Sequence, residues 1–303
     1  MHQSVLLSEA IDALKVDPAG CYIDGTMGAG GHSQAILQQL GGSGQLLGYD
    51  KDPQVLFQTV KRINDDRLLA KNAAFSQIGA DLDALGLQGK VDGILLDLGV
   101  SSMQLDQAER GFSFRHDGPL DMRMNPHKGI AAHEWLADCE ERELADVLWR
   151  YGDERRSRAI ARAVIAYRQH ASITTTAVLS EIVQSVISPR YGQKHPATRT
   201  FQAIRIYINQ ELHELEAVLP QCATGLAPGG RLVVISFHSL EDRRVKQFMS
   251  PPNHPVGRFE MNLTEQTKEL HSMDYVARVV PSQKELARNP RARSAVMRIA
   301  EKR

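Results

Sequence analysis

Cys21-Tyr22-Ile23-Asp24-Gly25-Thr26-Met27-Gly28-Ala29-Gly30-Gly31-His32 passes from a short apolar stretch, through a glycine-rich turn, into a helical pattern that reaches about Leu40. Cys21–Asp24 reads as a strand. Glycines between a strand and a helix let the backbone approach a ligand closely and leave amide N–H groups at a helix N-terminus. The same strand-then-helix unit recurs downstream. Gln45–Asp50 reads as a second strand, and Pro53 is placed as the first residue of the next helix. A third strand near Leu68–Lys71 precedes a helix carrying Ile78, Leu82 and Leu85, closed by Gly86. Val91–Leu96 is apolar apart from Asp92 and Gly93, and ends at Asp97. Strands alternating with helices predict an α/β protein with a parallel, Rossmann-like sheet covered on both faces.

The alternation stops between Leu98 and Pro196, where a loop is followed by helical patterns near Ile130–Cys139, Glu140–Arg150, Glu154–Gln169 and Thr175–Val186. Strand-to-helix connections in such sheets normally take ~2–6 residues. An inserted helical subdomain is therefore expected over 106–196, with 1–105 and 197–303 forming the sheet domain. A long helix, Ala197–Leu219, carries Ile204, Ile208, Leu212, Leu215 and Leu219 as one stripe. Pro228-Gly229-Gly230 then turns the chain into a strand, Arg231–Phe237. Tyr275–Val280 and Ala295–Ala300 are expected to complete the sheet as a hairpin with a long loop.

A chain of 303 residues allows roughly two domains at ~150 residues each. With 42% hydrophobic and 24% charged residues, it is too apolar for a disordered chain. No stretch approaches the ~18 unbroken apolar residues of a membrane span. The first twenty residues lack the basic start and apolar core of a signal peptide. Cys21, Cys139 and Cys222 are odd in number and far apart, which fits neither a disulfide framework nor a zinc knuckle. A cytoplasmic, reduced, metal-free protein with no membrane partner is expected, its oligomeric state left open. The zero net charge hides a gradient: residues 1–109 hold 7 basic and 14 acidic residues, residues 110–200 hold 14 and 11, and residues 201–303 hold 15 and 11. From Arg278 to Arg303 there are 8 basic residues and 2 acidic ones. Such asymmetry fits an acidic catalytic core joined to surfaces that meet a polyanion, or simply an unevenly charged solvated surface.

Gly28-Ala29-Gly30 departs from the dinucleotide pattern, because Ser33 stands where the last glycine would be. Asp24, directly before the turn, suits the ammonium of S-adenosylmethionine (AdoMet), directly or through backbone and water, better than a pyrophosphate. A tight structural turn is the alternative. Asp50 closes the second strand, where a carboxylate accepts hydrogen bonds from both hydroxyls of an adenosine ribose. Asp52 is assigned to capping the helix that Pro53 opens. Phe75 is placed either to pack on an adenine or to join the core. Asp97 ends the fourth strand at the same sheet edge, the usual ligand crevice of open α/β sheets.

Several longer runs are distinctive. They are His2-Gln3-Ser4-Val5-Leu6-Leu7, Asp24–Ser33, Leu95–Asp106, Arg110-Gly111-Phe112-Ser113-Phe114 and Pro119–Met124. Phe201–Arg205, Ser236–Arg243 and Asn289–Ser294 belong with them. Together they resemble the bacterial ribosomal RNA cytosine-N4 methyltransferase (RsmH, or MraW) family from residue 2 to about residue 298. The resemblance implies a Rossmann-like AdoMet-dependent methyltransferase with an inserted helical domain, acting on a cytosine in the decoding centre of small-subunit (16S) rRNA. It also implies AdoMet contacts at Gly30, Gly31, His32, Asp50, Phe75, Asp97 and Gln104.

A cytosine amine is a poor nucleophile, since its lone pair is delocalised into the ring. It must be pyramidalised by hydrogen bonds and aligned with the methyl–sulfonium bond. Many amino-methyltransferases carry an Asp/Asn/Ser-Pro-Pro-aromatic motif after the fourth strand; here the position holds Asp97-Leu98-Gly99-Val100-Ser101-Ser102 without prolines. Candidates for the catalytic group are Asp97, which also reads as a cofactor contact, and Ser101, Ser102 and His238. Phe112, Phe114 and Trp135 are candidates for gripping an unstacked base, or for ordinary packing, with Arg110, Arg115 and Arg123 for phosphates. Arg155, Arg158 and Arg162 share one face of the helix after Tyr151, as an RNA-facing stripe or a solvated one. The insertion leaves the sheet directly after Asp97 and is expected to roof the pocket. A non-catalytic RNA-binding ribosome assembly factor and an NAD-dependent dehydrogenase are the competing functions.

Overall fold

Leu46 and Leu47, Leu95 and Leu96, and Val233 and Val234 are adjacent in sequence, yet each pair divides between two separate apolar cores. That division is the signature of a sheet buried on both faces, since successive side chains of a strand point to opposite sides. In this computed structural model the described residues are 4–189, 192, 195–250 and 272–303. They fall into two compact units, up to Gly99 together with Leu212–Arg303, and Val100–Glu211.

The first unit holds the sheet. Its strands are β1 (Cys21–Asp24), β2 (Gln45–Asp50), β3 (Leu68–Asn72), β4 (Val91–Asp97), β5 (Leu226–Ser236), β6 (Met273–Val279) and β7 (Val296–Lys302). They pair in the order β3-β2-β1-β4-β5-β7-β6. The first five are parallel, while β7 runs antiparallel to both β5 and β6. The expected hairpin of β6 and β7 therefore forms, but β7 inserts beside β5. On one face pack α4 (Ile78–Leu85), α11 (Glu211–Gly225) and α12 (Ser239–Met249); on the other pack α1 (Leu7–Leu14) and α2 (Gly31–Gln39). The helix α3 (Pro53–Ile63) opens as expected, with Asp52 Oδ1 accepting from the Gln54 and Val55 amides at 3.0 and 3.3 Å. Gly86 closes α4 with φ 66°, a left-handed backbone that glycine adopts without a Cβ penalty.

The second unit comprises α5 (Ser102–Asp106), α6 (Ala132–Asp138), α7 (Glu141–Gly152), α8 (Ser157–Arg168), α9 (Thr176–Val186) and α10 (Ala197–Ile208) around its own core. Its limits differ from the expected 106–196, because the long helix Ala197–Leu219 is two helices. Gln210 adopts φ 51°, and the buried Asn209 binds locally: Nδ2 donates to the carbonyls of Met122 and Arg205, and Oδ1 accepts from the Met124 amide. Asn209 thus satisfies groups of the loop before α6, and α10 stays with the helical unit. The strand β5 also begins earlier than expected, at Leu226. Its register with β4 jumps from the Val91–Leu226 pair to the Gly93–Arg231 pair, so Pro228-Gly229-Gly230 forms a looped-out irregularity inside it. His2 and Gln3 lie outside the described residues, as does the loop 251–271 before β6.

Candidate active site

The strand order reverses between β1 and β4, whose neighbours lie on opposite sides, and ligands of open α/β sheets bind at the carboxyl ends of strands at such a switch point. Asp24 and Asp97 end those two strands, and Asp50 ends the adjacent β2. The turn after β1 is threaded between them. Gly28 and Gly30 take φ 48° and 69°, and Gly30 is the N-cap of α2.

Asp24 is 1% exposed, and its oxygens serve the turn itself. Oδ1 accepts from the Thr26 amide at 3.1 Å, and Oδ2 from the Ser33 hydroxyl at 2.6 Å. Ser33, the residue that breaks the dinucleotide pattern, thus has a structural bond no glycine could make. Asp50 fixes the same turn from the side: Oδ2 accepts from the Gly28 amide and Oδ1 from the Asp52 amide, both at 2.8 Å. Burial pushes both carboxyls up to about 6, against the hydrogen bonds that favour the charged forms. Phe75 is half-buried just after β3, its Cβ facing Gly25 and its ring against the sheet core. Both the packing role and a face toward a ligand are compatible with that placement.

Asp97 is held by its own amide, which donates to Thr26 Oγ1 at 2.6 Å. Its Oδ1 is buried with no hydrogen-bond partner among the described residues, and its Oδ2 stands 3.7 Å from His32 Nδ1. Burial, followed by the charges of Asp24 and Glu241, raises its carboxyl well above the ordinary range. The other nitrogen of His32, Nε2, lies 3.1 Å from the Val5 carbonyl, and burial lowers that imidazole to about 4. At the end of β5, Ser236 Oγ and His238 Nδ1 are likewise buried without partners among the described residues. His238 Nε2 stands 3.1 Å from Glu241 Oε1, outside hydrogen-bonding geometry, while Glu241 Oε2 accepts the Phe237 and His238 amides. Unpaired buried polar atoms cost free energy unless something else completes them. Their concentration at the sheet edge is what a polar ligand would remedy.

The sheet unit thus brings together Gly30, Gly31, His32, Asp50, Phe75, Asp97 and His238. Ser101 and Gln104 belong to the helical unit and form a reciprocal capping box on α5: the Gln104 amide donates to Ser101 Oγ at 3.2 Å, and Gln104 Oε1 accepts from the Ser101 amide at 3.0 Å. The Ser101 hydroxyl thus accepts one bond of this cap and keeps its O–H to donate. The Ser102 side chain lies outside the described residues. Phe112 and Trp135, expected to grip a base, are 6% and 5% exposed within the helical core, with Trp135 Nε1 donating to Glu143. Phe114 is half-buried, stacked on His195 with centroids 4.5 Å apart. Arg110 is buried and donates to the carbonyls of Arg123 and Met124, and Arg123 forms a bidentate pair with Asp121; Arg115 is exposed. Arg158 and Arg162 lie on the exposed face of α8, whereas Arg155 sits in the turn before it. Thr26, Ser236 and Glu241 lie within the distinctive runs Asp24–Ser33 and Ser236–Arg243 but were not singled out there, since a Thr, a Ser and a Glu near strand ends do not by themselves mark a site.

A sheet in this strand order with an antiparallel seventh strand, and a glycine turn pinned by strand-end carboxylates, define the Rossmann-like, AdoMet-dependent class of methyltransferases. Within it, the chain belongs to the MraW methylase family, whose sequence pattern matches residues 1–303. The ribosomal RNA small subunit methyltransferase H of Thiobacillus denitrificans is 50% identical over 310 residues, covering 99% of this chain and 97% of that protein. The protein of the same name from Nitrosomonas eutropha is 50% identical over 313 residues, covering 100% and 97%. An rRNA methylase structure from Streptococcus thermophilus superposes with a TM-score of 0.45 at 10% identity, covering 100% of this chain and 98% of that one.

Proposed function

We propose that the protein transfers the methyl group of AdoMet to N4 of a cytosine in the decoding centre of 16S rRNA, as a cytoplasmic enzyme of the small ribosomal subunit. The observation that carries the chemistry is Asp97, a carboxyl at the switch point with one buried oxygen unpartnered. The residues fit the donor. The turn amides at Gly30–His32 suit the amino-acid tail, and Asp50 keeps its oxygens at the mouth of the turn for ribose hydroxyls. The half-buried Phe75 offers a ring to the adenine. Asp24, with both oxygens turned inward, acts on the ammonium only through the backbone it fixes. When bound, AdoMet would supply an electrophilic methyl on a sulfonium: the new N4–C bond would replace the C–S bond, S-adenosylhomocysteine would leave, and N4 would lose one proton to water. Asp97 Oδ1, the unpartnered oxygen, accepts a hydrogen bond from N4–H and helps localise the amine lone pair; His238 is the second candidate on the same strand edge. Membership of a family whose relatives bear the small-subunit name supports the rRNA substrate. Tritium transfer from labelled AdoMet to unmodified 30S subunits, followed by nucleoside mass spectrometry, tests the reading. N4-methylcytidine is expected, and label on another nucleoside or none at all overturns it.

A further inference from the structure

Two contacts tie the chain before α1 to the glycine turn and the start of α2, and a third ties it to a residue near the end of the chain. Ser4 lies so close to Gly31 that a Cβ there would collide with its hydroxyl. Val5 presents its carbonyl to His32 Nε2 at 3.1 Å. Leu6, fully buried, takes φ 51°, a left-handed backbone that a leucine keeps only where its surroundings over-determine it. The group that does so is distant in sequence: Leu6 N–H donates to Glu285 Oε1 at 2.7 Å. Glu285 lies in the short helix α13 (Gln283–Arg288), whose N-cap Ser282 accepts from the Glu285 amide. Its second oxygen is buried without a partner among the described residues, so the carboxylate is held at this spot by the Leu6 contact rather than by solvent.

A carbonyl only accepts, so His32 Nε2 carries the ring proton, and the neutral imidazole leaves Nδ1 as a bare lone pair. That lone pair faces Asp97 Oδ2 at 3.7 Å. We propose that Glu285 is a positioning residue: by fixing the Leu6 amide it holds the Val5 carbonyl against His32, and so sets which ring nitrogen faces Asp97. An Nε2–H imidazole leaves Nδ1 to face a protonated Asp97 Oδ2 as an acceptor while Oδ1 still accepts, so the tautomer sets which Asp97 oxygen is left for a ligand N–H. The proposal rests on reading Asp97 as part of the donor site, but its first measurement does not.

Long-range proton–nitrogen NMR of the full-length protein labelled at histidine reads the tautomer directly. His32 is expected as the Nε2–H form in the wild type and in Glu285→Gln, whose amide oxygen still accepts from Leu6 N–H. It is expected to move toward the Nδ1–H form in Glu285→Ala. Calorimetry should show AdoMet binding weakened roughly fivefold in Glu285→Ala, as the loss of one hydrogen bond implies, and near wild type in Glu285→Gln. An unchanged His32 tautomer in a folded Glu285→Ala protein overturns the proposal. Should that variant fail to fold, Glu285→Asp retains the charge on a shorter arm and must show the same change in part; an unchanged tautomer there overturns it equally. A tautomer that responds in a protein showing no AdoMet binding at all would refute the donor-site reading and leave the positioning role standing.

Discussion

Asp50 joins two elements through one side chain, accepting the Gly28 amide of the turn and the Asp52 amide that leads into α3. Its replacement therefore affects binding and turn geometry together. Asp50→Ala is expected to weaken AdoMet binding by ~1.5–3 kcal/mol, the range for hydrogen bonds to a charged group; calorimetry showing unchanged affinity would remove Asp50 from the site. The same residues set an acid–base signature. Asp24 and Asp50 rise from 3.8 to about 6, so the stability they contribute is present below pH 3.8 and is lost as pH rises through 6. His32 falls from 6.5 to about 4, so its contribution is present above pH 6.5 and lost as pH falls through 4. The two trends oppose each other across one window. His32→Gln removes the rising one, and urea titrations between pH 4 and 6.5 should show a steeper loss of stability with pH in that variant than in the wild type. Parallel pH profiles would mean that His32 carries no such load.

Elements were legible where periodicity and punctuation agree. β1, β2 and β4 announce themselves as apolar runs ended by carboxylates, α3 by its Asp–Pro start and α4 by its glycine stop. α1 escaped the reading because both its ends, Leu6 and Lys15, take left-handed backbone without a glycine to signal it. α12 escaped because its apolar positions are sparse between charged ones. The break between α10 and α11 has no proline or glycine either. It is made by tertiary bonds of Asn209, which no local pattern encodes. Asn209→Ala should therefore destabilise the protein by ~1–3 kcal/mol, the cost of leaving buried partners unpaired; a denaturation midpoint equal to wild type would show that the break is encoded elsewhere. For the aromatics that the sequence left between gripping a base and ordinary packing, tertiary structure again sets the placement. Phe112 sits among polar and charged neighbours in sequence and Trp135 beside Leu136, and the helical core that buries both is assembled from residues 100–211. On the exposed side of the same unit, Arg158 and Arg162 keep one face of α8. Replacing Arg155, Arg158 and Arg162 together by Gln should lower the log–log salt slope of rRNA binding by ~0.7–0.9 per lost phosphate contact, with AdoMet affinity unmoved. An unchanged slope would make the stripe a solvated face.

At the scale of the whole molecule, charge and architecture divide the work. Residues 1–109, which carry most of the strand-end carboxylates, hold 14 acidic against 7 basic residues, while the basic excess lies in residues 110–200 and in the tail from Arg278. A separate helical unit is larger than the capture of one base requires, and a basic excess spread over the insertion and the tail fits contacts distributed across a broad polyanion. Structured RNA is recognised largely by shape, which in a decoding centre is held by surrounding helices and proteins. Assembled 30S subunits should therefore be methylated far faster than protein-free 16S rRNA or a short hairpin of the same local sequence. The 70S ribosome should be a poor substrate, because the large subunit covers that surface. Initial rates per subunit at one salt concentration decide the matter. Equal rates on the 30S subunit and on the hairpin would show that the local sequence suffices, and the helical unit would then need another explanation than reading the shape of the subunit.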